Sequence, residues 1–121
     1  MTKQVGKTNP RLVALITRLK ETSRKNEAAV WRDIADRLEA PSRNYAEVNI
    51  SKISRYARAG ETFIVPGKVL GTGALSEPVV VAALNFSSSA ADKIEKARGT
   101  CLTIEELLKK NPKGNGVRIL R

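Results

Sequence analysis

The sequence predicts a mixed α/β fold in which two helices precede a core of alternating strands and helices. Before residue 42, apolar residues recur twice with helical spacing. After residue 45, short apolar runs bounded by Gly and Pro alternate with capped helical segments. The chain has 121 residues, of which 41% are hydrophobic, so one buried core is expected. We expect one compact domain, with a basic two-helix segment at 1–42 and a mixed α/β core with a basic tail at 43–121.

The first helix is predicted from its cap and its apolar stripe. Asn9 can accept hydrogen bonds from free backbone N–H groups, and Pro10 fits the first helical position. Apolar residues then follow at i, i+3, i+4 and i+7, namely Leu12, Leu15, Ile16 and Leu19. Arg11 and Arg18 fall on the opposite side, so we expect both to be free for a partner.

A second helix is predicted to follow a junction at Ser23–Asn26 and to end at Pro41. Its apolar face comprises Trp31, Ile34, Ala35 and Leu38. On its other faces, opposite charges lie four residues apart and predict ion pairs. The pairs are Arg32 with Asp36 and Asp33 with Arg37. Because these charges compensate one another, we interpret the helix as scaffold.

A short helix with one basic face is predicted after a strand at Tyr45–Ile50. Ser51 can cap this helix. The residues expected to face inward are Ile53, Tyr56 and Ala57. Cations lie at i, i+3 and i+6 on the other face, namely Lys52, Arg55 and Arg58. This basic stripe favours phosphate contact over simple solvation.

The next segments predict two strands. Thr62–Val65 predicts a short strand that ends at Pro66-Gly67, and Lys68–Leu70 continues after it. The glycine-bearing segment Gly67–Gly73 predicts a tight turn between strands. Pro78–Phe86 is the most apolar run of the chain and predicts a strand buried on both faces.

Two further helices carry clear start signals. Ser87–Ser89 begins a helix that extends to about Lys96. Thr103 and Glu106 have the spacing of a capping box, which predicts a helix over 104–109.

Two polar segments are expected to be ordered by a partner and not by the core. Residues 1–8 hold a single valine, and residues 111–116 hold two glycines and a proline. Neither buries enough apolar surface to offset the entropy of ordering. Val117–Leu120, which follows, predicts a last strand.

Net charge is distributed unevenly along the chain. The formal net charge of +10 divides into +7 for residues 1–58, −2 for residues 59–108 and +5 for residues 109–121. Basic ends that flank a slightly acidic middle favour binding of a polyanion.

Composition argues against several other classes of protein. The chain has no histidine and a single cysteine, Cys101, which excludes an internal disulfide and Ser-His or Cys-His catalysis. We therefore expect no enzymatic activity, no cofactor and no metal, and we interpret Cys101 as a small buried hydrophobe. No apolar stretch is long enough for a signal peptide or a membrane span, so we expect no membrane partner.

The aromatic residues indicate which kind of nucleic acid the chain is suited to bind. There are five of them: Trp31, Tyr45, Tyr56, Phe63 and Phe86. Trp31 and Tyr56 are predicted on apolar faces, and Phe63 and Phe86 in strands, so few remain as platforms for base stacking. Recognition of phosphates and shape by Lys, Arg and Asn suits folded RNA or DNA.

Five segments together resemble one protein family. They are TNPRL at 8–12, SRKNEAAVWRDIADRLE at 23–39, NYAEVNISKI at 44–53, ETFIVPGKVLGTG at 61–73 and LTIEELLKKNPKGNGVRILR at 102–121. They resemble the large-subunit ribosomal protein eighteen-e family of archaea and eukaryotes, which is related to bacterial large-subunit ribosomal protein fifteen. The compact length resembles the archaeal members.

The resemblance implies both a fold and a function. The implied fold is α/β, with irregular β-β-α superhelical turns preceded by a two-helix N-terminal segment. The implied function is that of a structural, non-catalytic constituent of the large ribosomal subunit in the cytoplasm. Such a protein binds large-subunit ribosomal RNA, lies beside other ribosomal proteins, and uses no cofactor or small-molecule substrate.

The candidate RNA contacts are chosen by charge. They are Lys3, Lys7, Arg11, Arg24, Lys25, Arg43, Asn44, Lys52, Arg55, Arg58, Lys68, Lys113, Arg118 and Arg121. Two alternatives stay open, namely a free-standing RNA- or DNA-binding regulator and a protein-interaction module whose basic charge serves solubility.

Overall fold

The computed structural model describes residues 9–121, and in this part of the chain it contains five α-helices and five strands. The helices are α1 (Pro10–Asn26), α2 (Ala29–Glu39), α3 (Ile50–Tyr56), α4 (Ser88–Lys96) and α5 (Ile104–Lys110). The strands are β1 (Ala46–Asn49), β2 (Thr62–Leu70), β3 (Val80–Phe86), β4 (Thr100–Thr103) and β5 (Val117–Ile119). The predicted mixed α/β fold is confirmed.

The strands form one parallel sheet around β2. The order β1-β2-β3-β4 is continuous, and β5 also pairs with β2. The N-terminal half of β2 pairs with β5, where Phe63 lies opposite Arg118. The C-terminal half pairs with β1, where Lys68 lies opposite Glu47. Two short strands therefore follow one another along the same edge of β2.

The prediction that Pro66-Gly67 ends a strand is wrong, because β2 continues through both residues to Leu70. The register between β2 and β3 shifts between Val65 and Lys68, so the strand accommodates the proline at an irregularity. A Cβ atom at Gly67 would lie 1.9 Å from the backbone oxygen of Ala46 in β1. Gly67 therefore permits the close approach of β1, and the predicted turn is confined to the residues after Leu70.

Both faces of the sheet are covered by helices. One face forms a hydrophobic cluster with α1, α2 and α5, to which β2 contributes Ile64. The opposite face forms a second cluster with α3 and α4, to which β2 contributes Phe63 and Val65. Successive residues of β2 thus belong to different clusters, as expected for a parallel strand buried on both faces. The same holds for Val81–Ala83 in β3, which confirms the prediction for that strand.

The predicted start of α1 is confirmed. The side chain of Asn9 accepts hydrogen bonds from the backbone N–H groups of Arg11 and Leu12, and Pro10 is the first helical residue. The predicted junction at Ser23–Asn26 is wrong, because these residues form the last turn of α1. The helix ends instead at Glu27, whose φ of 53° is left-handed.

The start signals of α4 and α5 are also confirmed. Ser87 caps α4 by accepting a hydrogen bond from Ala90 N–H. Thr103 and Glu106 form the complete capping box of α5. Cys101 lies in the short strand β4 and is half-buried, where burial raises the pKa of its thiol.

Helix α3 differs from its prediction in three details. It begins at Ile50 with Asn49 at the cap position, so Ser51 lies inside the helix and does not cap it. Tyr56 is exposed, with 39% of its surface accessible, and does not face inward as predicted. Arg58 lies beyond the end of the helix, so the predicted stripe keeps two of its three residues on α3.

The loop at 111–116 is attached to the core, contrary to the expectation that a partner orders it. Trp31, which is fully buried in α2, donates a hydrogen bond from Nε1 to the backbone oxygen of Pro112 at 2.8 Å. Asn111 Nδ2 donates to the backbone oxygen of Asn115 at 2.9 Å. A buried indole N–H thus anchors the loop. Residues 1–8 lie outside the described residues.

Replacing Trp31 should therefore affect both the core and this loop. Trp31→Ala is expected to lower the free energy of unfolding by about 3–5 kcal/mol, because it removes a large buried ring. Against a typical total of roughly 5–15 kcal/mol, this loss is readily measured by denaturant unfolding.

Trp31→Phe is the matched control, since it keeps an aromatic ring but removes the N–H donor. It should cost less stability and should speed amide exchange in 111–116 selectively. A Trp31→Ala protein as stable as the wild type would contradict this assignment of Trp31 to the core.

Candidate nucleic-acid interface

Eight of the fourteen predicted RNA contacts gather along the edge of the sheet where β1 and β5 meet β2. We call this surface the β1/β5 edge, and its members are Arg43, Asn44, Lys52, Arg55, Arg58, Lys68, Arg118 and Arg121. The opposite edge of the sheet is β4, Thr100–Thr103, which contains no Lys or Arg. No predicted contact lies on this opposite strand, although Lys96 and Arg98 precede it in the chain.

A polar groove opens beside the first residues of β1. It has a volume of about 290 Å³, and its walls include Arg43, Lys68 and Asn85. Arg43 comes from the short 3-10 helix Ser42–Asn44, and Lys68 from β2 directly opposite Glu47 of β1. Because Lys68 also lies opposite Asn85 of β3, three adjacent strands present polar side chains at this groove.

A second groove of about 200 Å³ adjoins the first and shares Tyr45 and Ala46 with it. Its lining includes Arg37 and Asn44, which are close in the chain, and Arg121, which is far from both. The hydroxyl of Tyr45 donates to the backbone oxygen of Leu38 at 2.6 Å, which fixes the boundary between the grooves. The two grooves thus form one continuous surface.

Hydrogen bonds connect this surface to α3 and β5. Lys52 of α3 donates from Nζ to the backbone oxygen of Arg121. Farther along the edge, Arg118 of β5 forms an ion pair with Glu61, with Nη1 and Oε2 3.1 Å apart. The other carboxylate oxygen of Glu61 accepts the backbone N–H of Arg58 at 3.0 Å. Glu61 thereby fixes the chain between α3 and β2.

Three other predicted contacts lie outside the β1/β5 edge. Arg24 and Lys25 are exposed in the last turn of α1. Lys113 is exposed in the loop that Trp31 anchors to α2. These three cations line neither groove. Lys3 and Lys7 lie outside the described residues.

The expectation that Arg11 is free for a partner is wrong. Its Nε donates to a carboxylate oxygen of Glu105 at 2.8 Å, and its Nη2 donates to the backbone oxygen of Leu84 at 3.2 Å. The hydrogen bond from Arg11 lowers the pKa of Glu105, although partial burial opposes the shift. The same hydrogen bond raises the pKa of Arg11. Arg11 ties α1 to α5 and β3, a role that its charge alone did not reveal.

Arg37 and Asn85 line the grooves and were absent from the predicted contacts. Arg37 forms the predicted ion pair with Asp33, at 2.9 Å, and also lines the smaller groove. Asn85 is an exposed polar residue within an otherwise apolar strand. A polar residue interrupting the apolar run PVVVAALNF was a usable signal for Asn85. No local pattern joins Arg37 to Arg121, because only the fold brings them together.

Metal binding and membrane insertion find no support in residues 9–121. These residues include no cluster of three or more acidic or cysteine side chains placed to hold a metal ion. None of the described helices is long and apolar enough to cross a membrane.

Comparison with known proteins adds to this geometry. The family model described as "Ribosomal protein 60S L18 and 50S L18e" matches residues 1–121. The chain belongs to this family. It is 69% identical over 121 residues to a protein named large ribosomal subunit protein eL18 from Methanoregula boonei, with all of both chains covered. Proteins of the same name from Archaeoglobus fulgidus and Methanothermobacter thermautotrophicus are 58% and 49% identical. These matches cover 94% and 99% of this chain, and 97% and 99% of the relatives.

Membership in the L18/L18e family confirms several predictions. The family comprises ribosomal proteins of the large subunit and is not a family of enzymes. The predicted family, its archaeal type and its place in the large ribosomal subunit are therefore confirmed. This L18e chain is a constituent of that subunit.

The ion pair between Arg11 and Glu105 predicts a small dependence of stability on pH. Since the folded-state pKa of Glu105 is lowered, the pair stabilises the protein above the ordinary glutamate pKa of about 4.3. This contribution is lost as the pH falls through the lower folded-state pKa. Glu105→Gln should therefore reduce the free energy of unfolding at neutral pH by at most about 1 kcal/mol, because the pair is partly exposed.

Denaturant unfolding at neutral and at acidic pH measures this effect, and the difference from wild type should shrink in acid. Arg11→Gln should cost less in the Glu105→Gln background than alone, because the pair is already broken. Strictly additive losses would show that the two side chains do not interact.

Proposed function

We propose that this L18e chain binds large-subunit ribosomal RNA through the β1/β5 edge. The observation that carries the proposal is the local imbalance of charge. The edge brings together seven Lys or Arg side chains, while the acidic residues placed among them in the described structure are Glu47 and Glu61. Glu61 is already held by Arg118 and by the backbone of Arg58. The remaining positive charge is available to a polyanion.

The shape of the grooves supports an extended ligand. Small-molecule sites are predominantly apolar and enclose most of their ligand. The groove beside β1 is instead open and lined by charged and amide side chains, including Arg43, Lys68 and Asn85. Such a surface suits contact with phosphate oxygens along a nucleic-acid backbone, which fixes register and orientation. RNA is the natural partner for a constituent of the large ribosomal subunit.

The remaining exposed cations support a second contact. Arg24 and Lys25 lie in the last turn of α1 and Lys113 lies in the loop before β5, and none of the three lines a groove. Lys3 and Lys7 belong to the basic N-terminal segment. We propose that these residues reach a different RNA segment. Contact with neighbouring ribosomal proteins would then use the surfaces between the two basic regions.

The decisive variant is Arg43→Ala/Lys68→Ala, because both side chains are exposed on the larger groove without an ion pair in the described structure. Binding to large-subunit ribosomal RNA should weaken, and the slope of log Kobs against log salt should become shallower by about two. Filter binding across a salt series measures both quantities. The thermal midpoint should change little, because neither side chain packs in the core.

The matched control is Arg32→Ala/Lys96→Ala. It removes the same charge from residues that pair with Asp36 and Asp92 on their own helices. An equal loss of affinity in both variants would contradict the proposal, because net charge and not position would then drive binding. Cosedimentation of the native protein with large subunits tests the regulator and the interaction-module alternatives, each of which requires a free pool.

A further inference from the structure

We propose that Tyr56 is a stacking platform for one unpaired nucleotide of RNA. This inference rests on the proposed function, because it assigns a specific ligand to the end of the β1/β5 edge. It also reverses the expectation that Tyr56 faces the core. The occupant would be a flipped-out or single-stranded base whose flanking phosphates meet neighbouring arginines.

Exposure of the ring is the first observation. Tyr56 is the last residue of α3. Among the described residues, the large hydrophobic side chains left exposed are Tyr56 and Val13. Val13 lies on the outer side of α1, whereas Tyr56 lies within the basic edge. An exposed aromatic face in a basic surface is the combination that proteins use to stack nucleic-acid bases.

Rigid support of the ring is the second observation. The guanidinium carbon of Arg118 lies 5.8 Å from the centroid of the Tyr56 ring and 5.7 Å from that of the Phe63 ring. Phe63 is fully buried, and the carboxylate of Glu61 forms an ion pair with Arg118. A cation fixed between a core ring and an exposed ring limits the motion of the exposed ring. Tyr56 is therefore partly ordered before any base arrives, which lowers the entropic cost of binding.

Charge on residues beside Tyr56 in the chain is the third observation. Arg55 precedes Tyr56 and Arg58 follows it by two residues, and both are exposed. Neither side chain forms an ion pair within residues 9–121. The backbone N–H of Arg58 donates to the Glu61 carboxylate, which fixes the position of the backbone that carries the Arg58 side chain. Phosphates that flank a stacked base would thus have two exposed arginines close by in the chain.

These observations favour an unpaired base over a duplex or a protein. A base within a duplex is covered by its neighbours and cannot stack on a side chain. A protein partner generally needs an apolar patch larger than one ring. Tyr56 is instead a single aromatic residue among cations, which complements one base between two phosphates.

The test compares Tyr56→Leu with Tyr56→Phe in binding to large-subunit ribosomal RNA. Leucine keeps apolar bulk but removes the aromatic face, so Kd should rise about five- to 150-fold, the usual range for one stacked base. Phenylalanine keeps the face and should bind within about twofold of the wild type. Val13→Ala is the control for an exposed apolar residue and should have no effect. Thermal melts confirm that each variant is folded.

Ultraviolet irradiation of the wild-type complex supplies an independent readout, since a stacked base should cross-link to the peptide that contains Tyr56. Equal affinity of Tyr56→Leu and wild type would overturn the inference. If the Arg43→Ala/Lys68→Ala variant binds weakly at the same time, the proposed function survives that failure. Normal RNA affinity of Tyr56→Leu with defective incorporation into subunits would assign Tyr56 to a protein partner, which also overturns the inference.

Discussion

Burial of the parallel sheet on both faces is the constraint on which the rest of this structure depends. Strand β2 contributes Phe63 and Val65 to one hydrophobic cluster and Ile64 to the other, so helices must cover both sides. The broad faces of the sheet are then unavailable to a partner. What remains for recognition is the edges of the sheet, the outer faces and ends of the helices, and the loops, and the described basic residues lie in those places.

The shape of β2 determines which edge carries the charge. Strand β2 has nine residues, so it pairs first with β5 through Thr62–Ile64 and then with β1 through Gly67–Leu70 along the same side. The last residues of the chain therefore meet the residues that precede β1, and Arg121 reaches the same groove as Asn44 and Arg37. Gly67 is essential to this arrangement, because any side chain there would overlap the backbone of Ala46. The proposed RNA surface is thus a consequence of strand order.

Local signals in the sequence predicted most of the elements but fewer of the contacts between them. Asn9-Pro10, Ser87 and the Thr103–Glu106 capping box each act within one turn of helix, and each prediction is confirmed. Pro66 and Gly67 led to a wrong prediction of where the strand ends. The pairing of β2 with three neighbouring strands outweighs the preference of these two residues for turns. Charge alone could not show that Arg11 pairs with Glu105, 94 residues away, or that Trp31 anchors the loop at Pro112. Such contacts depend on topology, which periodicity does not encode.

The most direct test of the β1/β5 edge as an RNA surface is lysine footprinting. Free protein and its complex with large-subunit ribosomal RNA are treated with an amine-reactive reagent, and modification at each lysine is read by mass spectrometry. Lys68, exposed on the larger groove, should become protected in the complex. Lys96, exposed on α4 and paired with Asp92, should react as it does in the free protein. Protection of Lys96 with unchanged reactivity of Lys68 would contradict the account.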